Sequence, residues 1–284
     1  MGHNLILTDN AAQFTRPNFP GCKFVRILDE EIEHLSNKFD NIRNVRVGDF
    51  PKHINSNNPM RLALPTTDYI SNQILSLYQS YDDIFIALVS KNLHPSYDLF
   101  EEIIKKIHGK AEIHLLDTQS IAIGEGQIVQ IAAELIEKNI GGYVIEERLR
   151  EAIPHVYTLL CTPNFSYLNK SGFIDLGQAV SGEVLGFLPI FTLEDGKLNP
   201  VEKVKNIRSA FDYFIEFIEE FEEIGNISFI QPASPAHNES KIIRQHVEEF
   251  FPKTQYSEHT INPFLASLIG PQGMGIVITE SYNS

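Results

Sequence analysis

Asp83-Ile84-Phe85-Ile86-Ala87-Leu88-Val89-Ser90-Lys91-Asn92 decides the fold of this chain. Residues 83–89 form a nearly unbroken apolar run, the pattern of a parallel strand buried on both faces. The run stops on small polar residues, and Pro95 then fits the first turn of a helix, where its missing N–H costs nothing. The same grammar occurs twice more. Leu5-Ile6-Leu7 stops on Thr8-Asp9-Asn10, and Ile113-His114-Leu115-Leu116 stops on Asp117-Thr118-Gln119-Ser120. In open α/β sheets ligands sit in the crevice beyond the carboxyl ends of the strands, so these polar clusters are the candidates for a binding site.

Working outward, residues 68–80 read as a helix with Ile70, Ile74, Leu75 and Leu77 on its buried side. The Pro95 helix runs to Gly109, a natural stop. Residues 112–116 read as a strand, and 127–138 as a helix with Ile128, Ile131, Ala132 and Leu135 on one face. Strand and helix alternating in this order imply a parallel sheet with right-handed crossovers. The stretch holding Pro17, Pro20, Pro51 and Pro59 reads as loops with short elements. A helix over 144–153 ends at Pro154, which places a domain boundary between 1–154 and 155–284.

The second half has a different order. Strands are expected over 156–161, 185–193, 227–230 and 275–279, with a hairpin turn at Asp195-Gly196. Helices are expected over 207–224, where Ile207, Phe211, Phe214, Ile215, Ile218 and Phe221 recur at helical spacing, and over 239–251. The expected fold class is α/β in two domains: an N-terminal, mostly parallel α/β/α sheet domain and a C-terminal α+β domain.

The 284 residues suffice for two domains of ordinary size, and 43% hydrophobic with 21% charged residues is a globular composition. A formal charge of −14 argues against nucleic acid, whose phosphates need clustered Lys and Arg. Cys22 and Cys161 stand far apart, and two reduced thiols are the simpler reading. Met1-Gly2-His3-Asn4 lacks a basic stretch followed by an apolar h-region, so no signal peptide is expected, and no apolar run approaches the ~20 residues needed to span a bilayer. A cytoplasmic location is expected.

Few residues point to chemistry. Gly124-Glu125-Gly126 lies between a strand and a helix, but without GxGxxG or a Walker Lys-Ser/Thr, and close backbone packing is the better use of these glycines. The ten histidines form no HExxH and no paired ligand spacing, and His34, His53, His108, His114 and His155 read as surface or strand histidines. His94 differs because it lies just past a strand end. No GxSxG elbow occurs, and neither cysteine sits at a strand-to-helix turn with a histidine nearby. Asp9 and Asp117 could converge as a carboxylate pair, although capping of backbone amides suits both better. Binding is therefore favoured over catalysis, with no cofactor and no metal expected. Of the 19 phenylalanines, Phe165, Phe173, Phe187, Phe191, Phe211 and Phe214 cluster in the second half, where a subset could line an elongated apolar pocket between the domains.

The order of segments resembles the DegV family of bacterial fatty-acid-binding proteins over essentially the whole chain. Thr8-Asp9-Asn10-Ala11-Ala12 resembles the family's opening TDS-x-A, and Ala63-Leu64-Pro65-Thr66-Thr67-Asp68-Tyr69 falls where the family has TSQPS. Val89-Ser90-Lys91-Asn92-Leu93-His94-Pro95-Ser96-Tyr97 matches SSxLSGTY in register, and Leu116-Asp117-Thr118-Gln119-Ser120 with Gly124 and Gly126 resembles DS…GxG. Further on, Tyr167-Leu168-Asn169-Lys170-Ser171-Gly172-Phe173-Ile174 resembles YLxKGGRI. Leu188-Pro189-Ile190 through Asp195-Gly196-Lys197 is similar to KPIL…DGK, and Gly270-Pro271-Gln272-Gly273-Met274-Gly275 resembles GPGxxG.

The resemblance implies a two-domain protein enclosing one long-chain fatty acid or related lipid, its carboxylate near the strand ends and presented to a fatty acid kinase partner. The candidate ligand-binding residues are then Thr8, Asp9, Thr66, Thr67, Ser90, Asn92, His94, Ser96, Asp117 and Gly270, with none catalytic. The head-group segments depart from the family pattern. Leu62-Ala63 replaces a TS pair, and His94-Pro95-Ser96 replaces SGT. Leu268 stands where the family has His, Phe173 where it has Arg, and Leu188 where it has Lys. A protonated His94 acting with Ser90, Ser96 or Thr66 is one way to rebuild a carboxylate clamp. The alternatives are a different, non-fatty-acid ligand, an assembly role, or a hydrolase or phosphotransferase using Asp9, Asp117 and His94.

Overall fold

The computed structural model describes residues 3–34, 38–55, 60–234 and 237–281. The chain forms two compact units. Unit 1 comprises Met1–Glu31, Ala63–Pro154 and the turn Asp195–Lys197, and unit 2 comprises Ile32–Leu62, His155–Glu194 and Leu198–Ser284. The units are thus not two continuous segments. The chain does change unit at Pro154, but an earlier excursion over Ile32–Leu62 also groups with unit 2. Side-chain bonds hold it there: the Tyr167 hydroxyl donates to the Pro51 carbonyl at 2.6 Å, and Asn164 Nδ2 donates to the Lys52 carbonyl at 3.0 Å.

Unit 1 is built on a four-stranded sheet of β1 (Asn4–Thr8), β2 (Val25–Ile27), β6 (Asp83–Leu88) and β7 (Glu112–Asp117) in the order β2-β1-β6-β7. All three pairings are parallel. Ile84 to Leu88 are wholly buried, as a strand covered on both faces must be. Helices α1 (Thr67–Leu77), α2 (Ser96–Ile104), α3 (Ile123–Glu137) and α4 (Gly142–Ala152) connect and cover it. Leu75, expected on the inner side of α1, is instead 48% exposed, while Ile70, Ile74 and Leu77 are buried. The α2 helix ends before Gly109, its last bonds tightening to Lys106 N–H onto Ile103 O and Ile107 N–H onto Ile104 O.

Helix α3 starts four residues before the periodicity suggests, so Gly124 and Gly126 lie inside it. A Cβ on Gly126 would stand 2.1 Å from the Gln13 carbonyl oxygen. Close packing on the Gln13 segment therefore requires glycine here and outweighs its roughly 1 kcal/mol helix penalty. No phosphate loop exists at this position.

Unit 2 carries a six-stranded sheet of β8 (Val156–Cys161), β9 (Leu188–Glu194), β10 (Lys197–Val204), β11 (Ile224–Gln231), β12 (Gln255–Thr260) and β13 (Met274–Glu280), ordered β10-β9-β8-β13-β11-β12. The β13 strand runs antiparallel to β8 and β11, whereas β11 and β12 are parallel. A smaller sheet joins β3 (Glu31–His34), β4 (Lys38–Asn41) and β5 (Arg61–Leu62). Helix α7 (Ile207–Glu219) and α8 (His237–Phe250) pack together, and Phe211 and Phe214 of α7 enter a core with Phe229 and Ile276. The α7 helix stops before Ile224 because that residue opens β11.

Three helices of unit 2 escape the periodicity reading: α5 (Phe165–Lys170), α6 (Leu176–Leu185) and α9 (Pro263–Ile269). Leu185, expected to open a strand, instead closes α6, and Gly186 caps that helix with φ +65°. The start of α6 is fixed by a reciprocal cap in which Asp175 and Gln178 each accept the other's backbone N–H. Among the described residues, no helix is long and apolar enough to cross a membrane.

Candidate functional site

Nine of the ten candidate residues lie in unit 1, seven of them at or just past the ends of β1, β6 and β7 and two, Thr66 and Thr67, at the start of α1, and most of their polar atoms are engaged by the chain itself. Asp9 is wholly buried; its Oδ1 accepts the Ala11 N–H at 2.8 Å and its Oδ2 the Val89 N–H at 3.0 Å. These bonds tie the end of β1 to the end of β6. Asp117 accepts the N–H groups of Gln119 and Lys91 and faces the Lys91 ammonium at 3.9 Å. Each of these carboxylates serves backbone amides, as their positions suggest.

The carboxyl group that faces Asp9 is Glu125. It is wholly buried in the first turn of α3, and Thr8 Oγ1 donates to its Oε1 at 3.1 Å. Burial first, then the Asp9 charge and a hydrogen bond to Asp9, push the Glu125 pKa well above the usual carboxyl range. Burial and the facing Asp9 carboxylate thus favour the neutral form of Glu125, and burial raises the Asp9 pKa as well. Sequence reasoning passed over Glu125 because attention fell on the flanking glycines. A lone charged residue among Ile123, Ile128 and Val129 was the available signal.

Ser90 and Asn92 hold the turn Asp195–Lys197. Ser90 Oγ donates to the Gly196 carbonyl at 2.7 Å and Asn92 Nδ2 to the Asp195 carbonyl at 3.1 Å. A Cβ on Gly196 would meet Ser90 Oγ at 2.3 Å, so the turn approaches this closely only as glycine. Thr66 caps α1 by accepting the Tyr69 N–H, and Thr67 is exposed in its first turn.

His94 and Ser96 form the remaining pair. Both are buried, with His94 Nδ1 and Ser96 Oγ 2.6 Å apart. Burial lowers the His94 pKa to about 4. The imidazole is therefore neutral at neutral pH, which corrects the expectation of a protonated His94 and removes its positive charge from any carboxylate clamp. Gly270 lies in unit 2, where it caps α9 at φ +90° against Asn164.

Unit 2 holds an apolar cavity of about 520 Å³ lined by Phe165, Leu168, Phe173, Leu185, Phe187 and Phe191. Asp175, Gln178, Ser181 and Lys203 add polar groups to its wall. Its volume is that of an ordinary small-molecule pocket, for which roughly 300–1,000 Å³ is typical. Of the six phenylalanines singled out from the sequence, four line this cavity; Phe211 and Phe214 belong to the core. Phe173, standing where the family pattern has arginine, is part of the apolar wall. Leu188, standing where it has lysine, packs against the core. Cys161 is buried and its thiol is pushed up to about 12, so it is unreactive. Both cysteines are free.

A doubly covered parallel sheet with polar strand ends, joined in one chain to a mixed sheet bearing an aromatic cavity, defines a two-unit α/β protein. Residues 5–281 match the family described as uncharacterised protein, DegV family, and the chain belongs to it. A DegV domain-containing protein of Staphylococcus aureus is 29% identical over 154 residues, 52% of this chain and 53% of that protein. The match thus spans about half the length of that curated relative. The fatty-acid-binding DegV family protein of Streptococcus agalactiae superposes with a TM-score of 0.85 at 17% identity, covering 99% of this chain and 100% of that one. DegV of Bacillus subtilis, described as a fatty acid binding protein, gives 0.81 at 16%, over 99% and 100% of the two chains. The fatty acid kinase B3 protein of Streptococcus pneumoniae, loaded with linoleic acid, gives 0.79 at 14%, over 98% and 100%. At these identities the likeness is one of fold.

Proposed function

We propose that this chain binds one long-chain fatty acid or related lipid, with the acyl tail in the aromatic cavity of unit 2. The observation that carries the reading is the cavity itself: a wall made mostly of aromatic and aliphatic side chains surrounds about 520 Å³. Each buried methylene contributes ~0.8 kcal/mol, so an acyl chain favours such a wall strongly over water. The relatives of like fold that carry fatty acids support the same ligand class.

Asp9, Ser90, Asn92 and Asp117 of unit 1 already hold backbone groups, so these residues are proposed to serve the scaffold and not the ligand. The reading is binding without turnover: the two carboxylates serve backbone amides and the buried thiol is unreactive. A role in presenting the lipid to a kinase is part of the proposal, by likeness to the pneumococcal protein. Phe173 and Leu188 are turned to the cavity and the core, so such a partner would be met by other residues.

Oleate and palmitate titrated against the delipidated protein test this. The expected result is saturable binding that raises the melting temperature and is lost in Ser181→Trp, which puts a ring into the cavity. Binding that is unchanged in Ser181→Trp would overturn the placement of the tail, and no binding of either acid would overturn the ligand class.

A further inference from the structure

The other end of the unit 1 sheet carries a cluster that the lipid reading does not use. Asp83 and Glu112 are the first residues of β6 and β7 and pair directly in register, as do Phe85 and His114 two residues on. Side chains two apart on a strand share a face, and in-register neighbours on parallel strands share it too. Asp83, Glu112, Phe85 and His114 therefore stand together on one side of the sheet, at the amino ends of the strands.

We propose that Asp83, Glu112 and His114 form a binding site for a divalent transition-metal ion of the zinc class. One ligand atom from each lies within 4.8 Å of the others. His114 Nε2 and Asp83 Oδ1 are 3.0 Å apart. Two ligand atoms each about 2.1 Å from one ion stand roughly 3.0–3.4 Å apart, so this pair can coordinate together without a large shift. One imidazole with two carboxylates is a donor set suited to zinc and its neighbours, and three protein ligands leave a position for water. Glu112 is exposed, so the ion has an approach from solvent.

A second observation points the same way, from outside the acidic groups. His114 is held from behind: its Nδ1 contacts Glu146 Oε2 on α4 at 2.6 Å, and Arg150 grips the same carboxylate through Oε1 with Nε and Nη2 at 2.9 and 2.6 Å. The ring is stacked on Phe85 at 4.6 Å between centroids, and its side chain is only 3% exposed. A carboxylate on one ring nitrogen orients the ring, the usual arrangement around a metal-bound histidine, and an ion at Nε2 would displace the proton that Nε2 shares with Asp83 Oδ1. Asp83 is seated as well. A Cβ on Gly142 would lie 2.1 Å from Asp83 Oδ1, so glycine at the start of α4 makes room for that carboxylate. An ion here would clip β6, β7 and, through Glu146, α4 at the open edge of the sheet.

The test is calorimetric titration of zinc chloride into the full chain, free of any affinity tag and stripped with chelator, beside Glu112→Gln, His114→Ala and Glu146→Gln. The exposed Glu112 makes Glu112→Gln the variant that keeps the fold, which far-UV circular dichroism checks. The expected result is one equivalent of zinc that binds at least about tenfold more weakly to Glu112→Gln and His114→Ala. Glu146→Gln should weaken it by about 10–100-fold. Zinc should also raise the melting temperature of the parent chain and not that of Glu112→Gln. An ion pair with no metal role predicts that zinc affinity and stoichiometry are the same in the parent chain and Glu112→Gln. That result, or no zinc binding by the parent chain, would overturn the proposal.

Discussion

The strand ends of unit 1 and the cavity of unit 2 put polar and apolar residues to opposite uses. At the strand ends, the conspicuous residues Asp9, Ser90, Asn92 and Asp117 hold backbone amides and carbonyls in place. In unit 2, phenylalanines that look like core residues instead face open space. Polar residues that look like ligands build the scaffold, and apolar residues that look like scaffold line the cavity. The driving forces explain this. Strand ends present backbone groups that must be satisfied when buried, whereas a lipid tail asks only for a dry, shaped wall.

The comparison can be broken most sharply at Asp9. Asp9→Ala removes the acceptor for two buried N–H groups, each worth about 1–3 kcal/mol when orphaned, so urea unfolding should show a loss of roughly 4 kcal/mol. A loss below about 1 kcal/mol would mean the carboxylate is free for a ligand after all.

His94 comes next. Its folded pKa of about 4 lies below the ordinary 6.5, so the unfolded chain takes up a proton first as pH falls. Stability should drop between pH 6.5 and 4, by as much as roughly 3 kcal/mol at about 1.4 kcal/mol per unit. His94→Gln should flatten that decline in urea melts at pH 7 and 4.5. Ser181→Trp sharpens the other side. Fatty acid at 100 times its dissociation constant should stabilise the parent chain by about 2.7 kcal/mol and this variant hardly at all.

The smallest effect belongs to Glu125. Its raised pKa means the native state keeps a proton that the unfolded chain releases, so stability falls as pH rises above the ordinary carboxyl value. Glu125→Gln keeps the shape of the protonated group and should remove a slope of at most about 1.4 kcal/mol per pH unit. Parallel pH profiles for the two chains would show instead that Glu125 is ionised.

Much of the fold was legible because buried parallel strands leave a plain mark. The apolar runs ending at Thr8, Ser90 and Asp117 located β1, β6 and β7 and the polar ends beyond them. The aromatic cluster around Phe165 to Phe191 was visible too, although nothing in one sequence separates a ring facing a cavity from one facing the core. What was lost depends on tertiary pairing. The excursion Ile32–Leu62 groups with unit 2 through Tyr167 and Asn164, over more than a hundred residues of sequence. Asp83, Glu112 and His114 show no ligand spacing along the chain, because strand register alone brings them together. Helix α6 left a readable signal, the Asp175–Gln178 capping pair, which the apolar run at 185–193 overshadowed.

The most direct test of the central claim is mass spectrometry of the organic extract from natively purified protein. The account predicts one long-chain fatty acid or related lipid per chain, retained by the parent protein and absent from Ser181→Trp. An extract without lipid, from a chain that exogenous fatty acid also fails to stabilise, would contradict it.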